Sequence, residues 1–155
     1  MRDDVVRLRV PAQPEYLALV RMVIAGTARV EPLLDDERVD DLRVIVSEAC
    51  TNAIEALRVR AHDQGVDPAT LGSTIAIECH LRATGVEVII ADEGGGFDPD
   101  GLAILPPVTD PSRLRIERGL GIPLIKALSD EAEITSGPEG TRVRVVLHAE
   151  ASVTT

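Results

Sequence analysis

Val46-Ser47-Glu48-Ala49-Cys50-Thr51-Asn52-Ala53-Ile54 is the stretch on which the fold turns. Val46, Ala49 and Ala53 recur at three- and four-residue spacing, and Leu42 and Ile45 extend the same stripe upstream. This is the buried face of an amphipathic helix running from about Glu37 to about Arg60. Glu48 and Asn52 lie four residues apart and therefore share a helix face. A carboxylate beside a carboxamide can take a proton from a hydroxyl or water and ligate a hard cation. Taken alone, the pair equally describes two polar residues on a solvated face. Asp35, Asp36, Glu37, Asp40 and Asp41 cluster where the helix must start. Carboxylates there cap free amides and complement the helix dipole.

The neighbouring segments alternate in type. Upstream, Val6, Leu8 and Val10 alternate with Arg7 and Arg9 as a first strand ended by Pro11. Pro14 opens a first helix carrying Leu17, Val20, Ile24 and Ala28, and Pro32 punctuates it. Downstream, a loop from Ala61 to Ser73 contains Gly65, Pro68 and Gly72. Thr74 to Leu81 then reads as a strand, Thr84-Gly85 as a hairpin turn, and Val86 to Ala91 as a more apolar strand. An irregular stretch runs from Asp92 to Arg118. A third helix opens at Gly119-Leu120-Gly121 and carries Leu124, Ile125 and Leu128. Two last strands, Glu133 to Thr135 and Thr141 to His148, flank a turn at Gly137-Pro138-Glu139-Gly140. The sum is an α/β two-layer sandwich: a mixed, mostly antiparallel sheet of about five strands with three helices on one face. Residues 1–149 are expected to form one domain, with 150–155 a frayed tail.

Composition narrows the function. The chain has 155 residues, and Tyr16 and Phe97 are its only aromatics, so its core must be aliphatic. Single-strand and RNA modules stack bases on aromatic platforms that this chain lacks. Sixteen basic residues face 26 acidic ones, a net charge of −10 that disfavours nucleic acid and an anionic membrane surface. The same surplus suits a basic protein partner. Cys50 and Cys79 are too few for a disulfide framework or a zinc cluster, and a reducing cytoplasm is the expected setting. The start, Met1-Arg2-Asp3-Asp4, does not read as a signal peptide, and no apolar run has spanning length.

Two further patterns could carry chemistry. Asp92-Glu93-Gly94-Gly95-Gly96-Phe97-Asp98 directly follows the apolar strand. A carboxylate at a strand end can accept from a base's exocyclic amine, and glycines just beyond it let backbone approach a flat ring. Arg118-Gly119-Leu120-Gly121-Ile122 opens the third helix. Glycines at a helix start expose amides to phosphate, the dipole favours the anion, and an arginine adds a fork of donors. It is not the dinucleotide fingerprint, since the third glycine and the parallel βαβ unit are missing. Each pattern alone also fits an ordinary turn or helix start.

In this order, the three resemble the ATP-binding domain of the gyrase, chaperone, histidine-kinase and mismatch-repair superfamily, the Bergerat fold. Val46 to Ile54 and Asp92 to Pro99 look most like the bacterial anti-sigma-factor serine/threonine kinases. The resemblance spans about Val6 to about Leu147 and implies ATP and Mg²⁺ as cofactors. It implies that Asn52 ligates the metal and that Glu48 is the general base toward a partner's serine. Asp92 would accept the adenine amino group, with Gly94 and Gly96 walling the base pocket and Thr141 placing a hydroxyl near adenine. Gly119, Leu120 and Gly121 would line the phosphates, and Arg118 would reach the terminal one. The stretch from about Asp98 to Glu117 would be an ATP lid. One departure stands out: the family often carries a histidine in the turn after the asparagine, where this chain has Glu55-Ala56.

The implied activity is a partner switch. Such a kinase sequesters a sigma factor, phosphorylates a serine of an anti-sigma-factor antagonist, and acts as a homodimer. Three other readings compete with it. One is a nucleotide-gated sigma-binding module without transfer, and another is a switch kinase acting on a signalling scaffold. The last is the ATPase domain of a histidine kinase or mismatch-repair protein, for whose appended domains no residues remain.

Overall fold

The computed structural model describes residues 3–92, 121–137 and 140–149. Five strands occur among them: β1 (Asp4–Pro11), β2 (Thr74–Arg82), β3 (Gly85–Asp92), β4 (Glu131–Gly137) and β5 (Gly140–His148). Three α-helices accompany them: α1 (Leu17–Ala28), α2 (Asp36–Gln64) and α3 (Gly121–Leu128). Short 3-10 turns at Pro14–Tyr16 and Pro68–Leu71 complete the order.

The strands form one sheet in the order β1-β2-β3-β5-β4. Every neighbouring pair is antiparallel, so the expected mixed character is corrected to a wholly antiparallel sheet among the described residues. Register follows the period-two alternation, which puts alternate side chains on opposite faces. Leu8 pairs with Ile77, Ile77 with Ile90, and Ile90 with Val143, so one row of apolar side chains crosses from β1 to β5. Ile75, Ile77, Cys79 and Leu81 of β2, Val86, Val88 and Ile90 of β3, and Val143, Val145 and Leu147 of β5 are all buried on that face. The helices cover it with Val20 and Ile24 from α1, Leu42, Ile45, Val46, Ala49 and Cys50 from α2, and Ile125 from α3. The core is therefore aliphatic, as the scarcity of aromatics requires. Burial pushes both cysteine thiols up to about 12, so they behave as small apolar groups.

The opposite face of the sheet is ionic. Glu87, only 6% exposed, is held by Arg82 at 3.1 Å and by Arg144 at 2.5 Å. Arg7 and Glu78, opposite one another across β1 and β2, pair at 3.1 Å. Hydrogen bonds from His80 and then Arg7 hold the Glu78 carboxyl below its ordinary value.

Helix α2 starts where the acidic cluster placed it. The Asp35 side chain accepts from the Arg38 backbone amide at 2.8 Å, and Asp36 and Glu37 occupy the first turn. Its end is one turn beyond the expected Arg60. Ala61 is fully buried and packs as part of the helix, which stops only at Gly65 with φ of 66°. The left-handed cap lets the Gly65 and Val66 amides bond back to His62 and Ala61. Strand β4 starts two residues before the expected Glu133, because Glu131 and Ala132 already pair with Val146 and Val145. No helix of the described residues is long and apolar enough to cross a membrane.

Candidate active site

Helix α2 carries the site on the edge of its buried stripe. Ala49 and Ala53 face inward, and the next positions round the helix, Glu48, Asn52 and Ala56, are half-buried beside them. Strands β3, β4 and β5 approach from the other side, and α3 closes a third. Between them lies a cavity of about 100 Å³, lined by Ala49, Asn52, Ala53, Ala56, Ile90, Asp92, Ile122, Ile134, Thr141 and Val143. Among the described residues its polar side chains are Asn52, Asp92 and Thr141, from α2, the end of β3 and the start of β5. Three small alanines on α2 leave the floor open, while isoleucines and Val143 provide apolar walls. Such a slot, apolar with a few convergent polar groups, suits a flat ring recognised along one edge.

Gly121 makes the second junction. A Cβ added there would meet Asn52 Nδ2 at 2.9 Å, Glu48 Oε2 at 3.0 Å and Asn52 Oδ1 at 3.2 Å. The first turn of α3 thus lies directly against both side chains, and only glycine leaves them room. Glu48 and Asn52 do point the same way, as their spacing predicts, and they point at Gly121, the first described residue of α3. One carboxylate, one carboxamide and the first described turn of α3 therefore meet beside the apolar slot. Glu48 has no basic partner among the described residues, in contrast to Glu87.

Glu55 lies one turn past Asn52. Its Oε1 accepts from Arg58 at 3.2 Å, and its Oε2 is buried with no hydrogen-bond partner. The carboxylate that departs from the resemblance is thus partly withdrawn from solvent.

Of the residues expected at the site, the structure brings together Glu48, Asn52, Asp92, Gly121 and Thr141. Gly94, Gly96, Arg118, Gly119 and Leu120, and the expected lid, lie outside the described residues. Sequence reading missed the apolar lining: Ala56, Ile90, Ile122, Ile134 and Val143. The alanine spacing at 49, 53 and 56 was the available signal for an open slot beside α2. Nothing local in β4 or β5 marks Ile134 or Val143 as lining a site.

The described site is an aliphatic slot ending in a carboxylate, with an asparagine and a glycine of α3 beside it. The histidine kinase-like ATPase domain family matches residues 10–147, nearly all of the described fold. The chain is 35% identical over 135 residues to the serine-protein kinase RsbW of Bacillus subtilis, covering 84% of this chain and 78% of that protein. It is 32% identical to the RsbW of Bacillus pumilus with the same coverage, and 32% over 137 residues to that of Halalkalibacterium halodurans. It belongs to this serine-protein kinase family within the histidine kinase-like ATPases. The fold is also similar to a chain in the crystal structure of the SiaB–SiaC complex from Pseudomonas aeruginosa. That likeness has a TM-score of 0.58 at 16% identity, covering 92% of this chain and 88% of that one.

Proposed function

We propose that this chain is an ATP-dependent serine-protein kinase and anti-sigma factor. It would sequester a sigma factor and phosphorylate a serine of the anti-sigma-factor antagonist in a partner switch. The observation that carries this is the convergence of Glu48 and Asn52 on Gly121 while Asn52 shares a cavity with Asp92 and Thr141. The residues present suit the nucleotide. The aliphatic slot accepts a purine, Asp92 offers an acceptor to its amino group, and the α3 end favours phosphate.

The roles follow from that arrangement. Asn52 would hold a magnesium ion through its amide oxygen, and the ion would neutralise charge spreading over the phosphates. Asp92 and Thr141 fix the base, so the triphosphate runs toward the Gly121 end. Arg118, Gly119 and Leu120 would add donors there, and Gly94 and Gly96 would bring backbone against the ring. Glu48 accepts the proton of the incoming serine hydroxyl. The serine oxygen forms its bond to the γ-phosphorus as the bond to the β,γ-bridging oxygen breaks, leaving ADP and phosphoserine. Phosphoryl transfer needs chiefly positioning and charge neutralisation, which this site supplies with few groups. A homodimer, a cytoplasmic location and a basic sigma-factor surface opposite this acidic chain complete the reading.

The test is incubation of the intact chain with magnesium, ATP and candidate antagonist proteins encoded nearby. Phosphoserine on one of them, lost with Asn52→Ala, supports the reading. ATP binding with no transfer to any candidate would reduce it to a nucleotide-gated binding module.

A further inference from the structure

The described part of helix α3 meets α2 at two points. Its first described residue, Gly121, abuts Glu48 and Asn52. Its C-terminal residue, Leu128, gives its carbonyl to Arg38 Nη1 at 3.0 Å, ten residues before Glu48 on the same α2. The two helices therefore run antiparallel, with the reactive pair at one end of α3 and a single arginine at the other. Arg38 Nη2 also donates to Asp130 Oδ2 at 2.7 Å, and Nη1 donates to Asp41 Oδ2 at 3.2 Å. The same Asp130 oxygen accepts from the His148 backbone amide at 2.7 Å, tying the cluster to the end of β5. Arg38 and Asp41 side chains are each 25% exposed, so these bonds are partly sheltered from water.

Among its described residues, α3 buries Gly121 and Ile125 and packs Leu128 against the core. Just beyond it the Asp130 amide donates to the Val146 carbonyl at 2.9 Å, so the Arg38 bonds act where the C-terminal end of the helix meets β5. The last carbonyls of α3 have no partner within the helix, and a guanidinium there supplies both a donor and the charge the dipole prefers. From Leu128 to Gly121 the axis spans roughly 10 Å, so a tilt of about 10° moves the far end by ~2 Å. Displacements near 1 Å at a reacting centre can cost ~100-fold in rate.

We infer that Arg38 is a positioning residue for the phosphate end of the nucleotide site, acting through α3 to hold Gly121 against Glu48 and Asn52. It touches no ligand itself. This rests on the nucleotide reading above. The base-holding groups lie away from that cluster, Asp92 at the end of β3 and Thr141 at the start of β5, the opposite end of that strand from His148, so loss of Arg38 should separate phosphate recognition from base recognition.

Calorimetric titration of the intact chain with magnesium and ATP, and separately with adenosine, tests it. Arg38→Met keeps the apolar stem and removes the donors. Its ATP dissociation constant should rise roughly tenfold, as expected for loss of charge-assisted hydrogen bonds, while that for adenosine stays within about twofold. Arg38→Lys should recover part of the ATP loss, and it carries the test should Arg38→Met fail to fold. Asp130→Asn, which still accepts from His148, should weaken ATP binding in the same sense and combine non-additively with Arg38→Met. A lowered melting temperature with an unchanged ratio of ATP to adenosine affinity would make Arg38 a stabilising residue only and overturn the inference. A wild-type chain that binds neither ligand would remove the nucleotide reading first, and the positioning role with it. A wild type that binds both, with variants that lose both equally, would overturn the positioning role alone.

Discussion

Glu48 and Glu87 are the same side chain in two opposed settings. Glu87 lies on the open face of the sheet, 6% exposed, with a guanidinium on each carboxylate oxygen. Glu48 lies on the helix layer, half-buried, facing a carboxamide and the start of α3 with no basic partner among the described residues. A carboxylate neutralised on both oxygens has nothing left to offer a reactant, and its removal leaves Arg82 and Arg144 only their longer contacts, to Asp3 at 3.6 Å and Glu133 at 3.7 Å. A carboxylate with no basic partner among the described residues, set beside an amide and the first described turn of α3, keeps its oxygens available to a reactant. The contrast is what supports the proposed chemistry on α2 rather than on the sheet face.

The largest expected effect separates the two residues outright. Glu48→Gln should reduce phosphoryl transfer by at least ~100-fold, within the range for loss of a general base, with ATP affinity nearly unchanged. Glu87→Gln should leave transfer per folded molecule intact. Phosphoserine formation under saturating ATP reads both, and equal losses in the two variants would erase the distinction.

Gly121→Ala probes the site side more finely. The colliding atoms are the ends of flexible side chains, Asn52 Nδ2 at 2.9 Å and Glu48 Oε2 at 3.0 Å, so they can swing aside at little cost to folding. The melting temperature should barely move, while ATP affinity and transfer fall by roughly tenfold as both groups leave their positions. A variant with wild-type transfer would show that the Glu48–Asn52–Gly121 junction is packing and nothing more.

On the sheet side, Glu87→Ala removes the short partner of Arg82 and Arg144, which are partly exposed and keep Asp3 and Glu133. A loss of about 1 kcal/mol in denaturant unfolding is expected, the scale for losing hydrogen bonds to charged groups that stay partly solvated. The smallest effect belongs to Glu78. Its folded value is depressed by His80 and Arg7, so its contribution is present above the unfolded carboxyl value and fades as pH falls through the lower folded one. Glu78→Gln should therefore cost stability at neutral pH, by less than about 1 kcal/mol for so exposed a pair, and nothing near pH 2. A deficit that persists in acid would mean the residue acts through packing.

The parts of this molecule that could be read from the chain are those set by local rules. Alternation in β1, β2 and β5 gave the strands their faces, Asp35 marked the start of α2, and the four-residue spacing aligned Glu48 with Asn52. Boundaries failed where tertiary packing overrode punctuation: Ala61 packs in the core and carries α2 past the expected end, and β4 is lengthened by its pairing with β5. The site was legible as separate polar fragments and illegible as a cavity. Its walls, Ile90, Ile134 and Val143, look like any strand residues until β3, β5 and β4 are laid side by side. The Arg38–Asp130 bond joins residues 92 positions apart, and no spacing announces it.

The central claim is that one cavity joins Asn52, Asp92 and the Gly121 end of α3 around a single adenine nucleotide. Isothermal titration of the chain with ATP in magnesium tests it directly, repeated with Asp92→Asn and Asn52→Ala. The account predicts one site per chain in the wild type, with heat strongly reduced in both variants. No heat in the wild type, or binding untouched by either substitution, would contradict it.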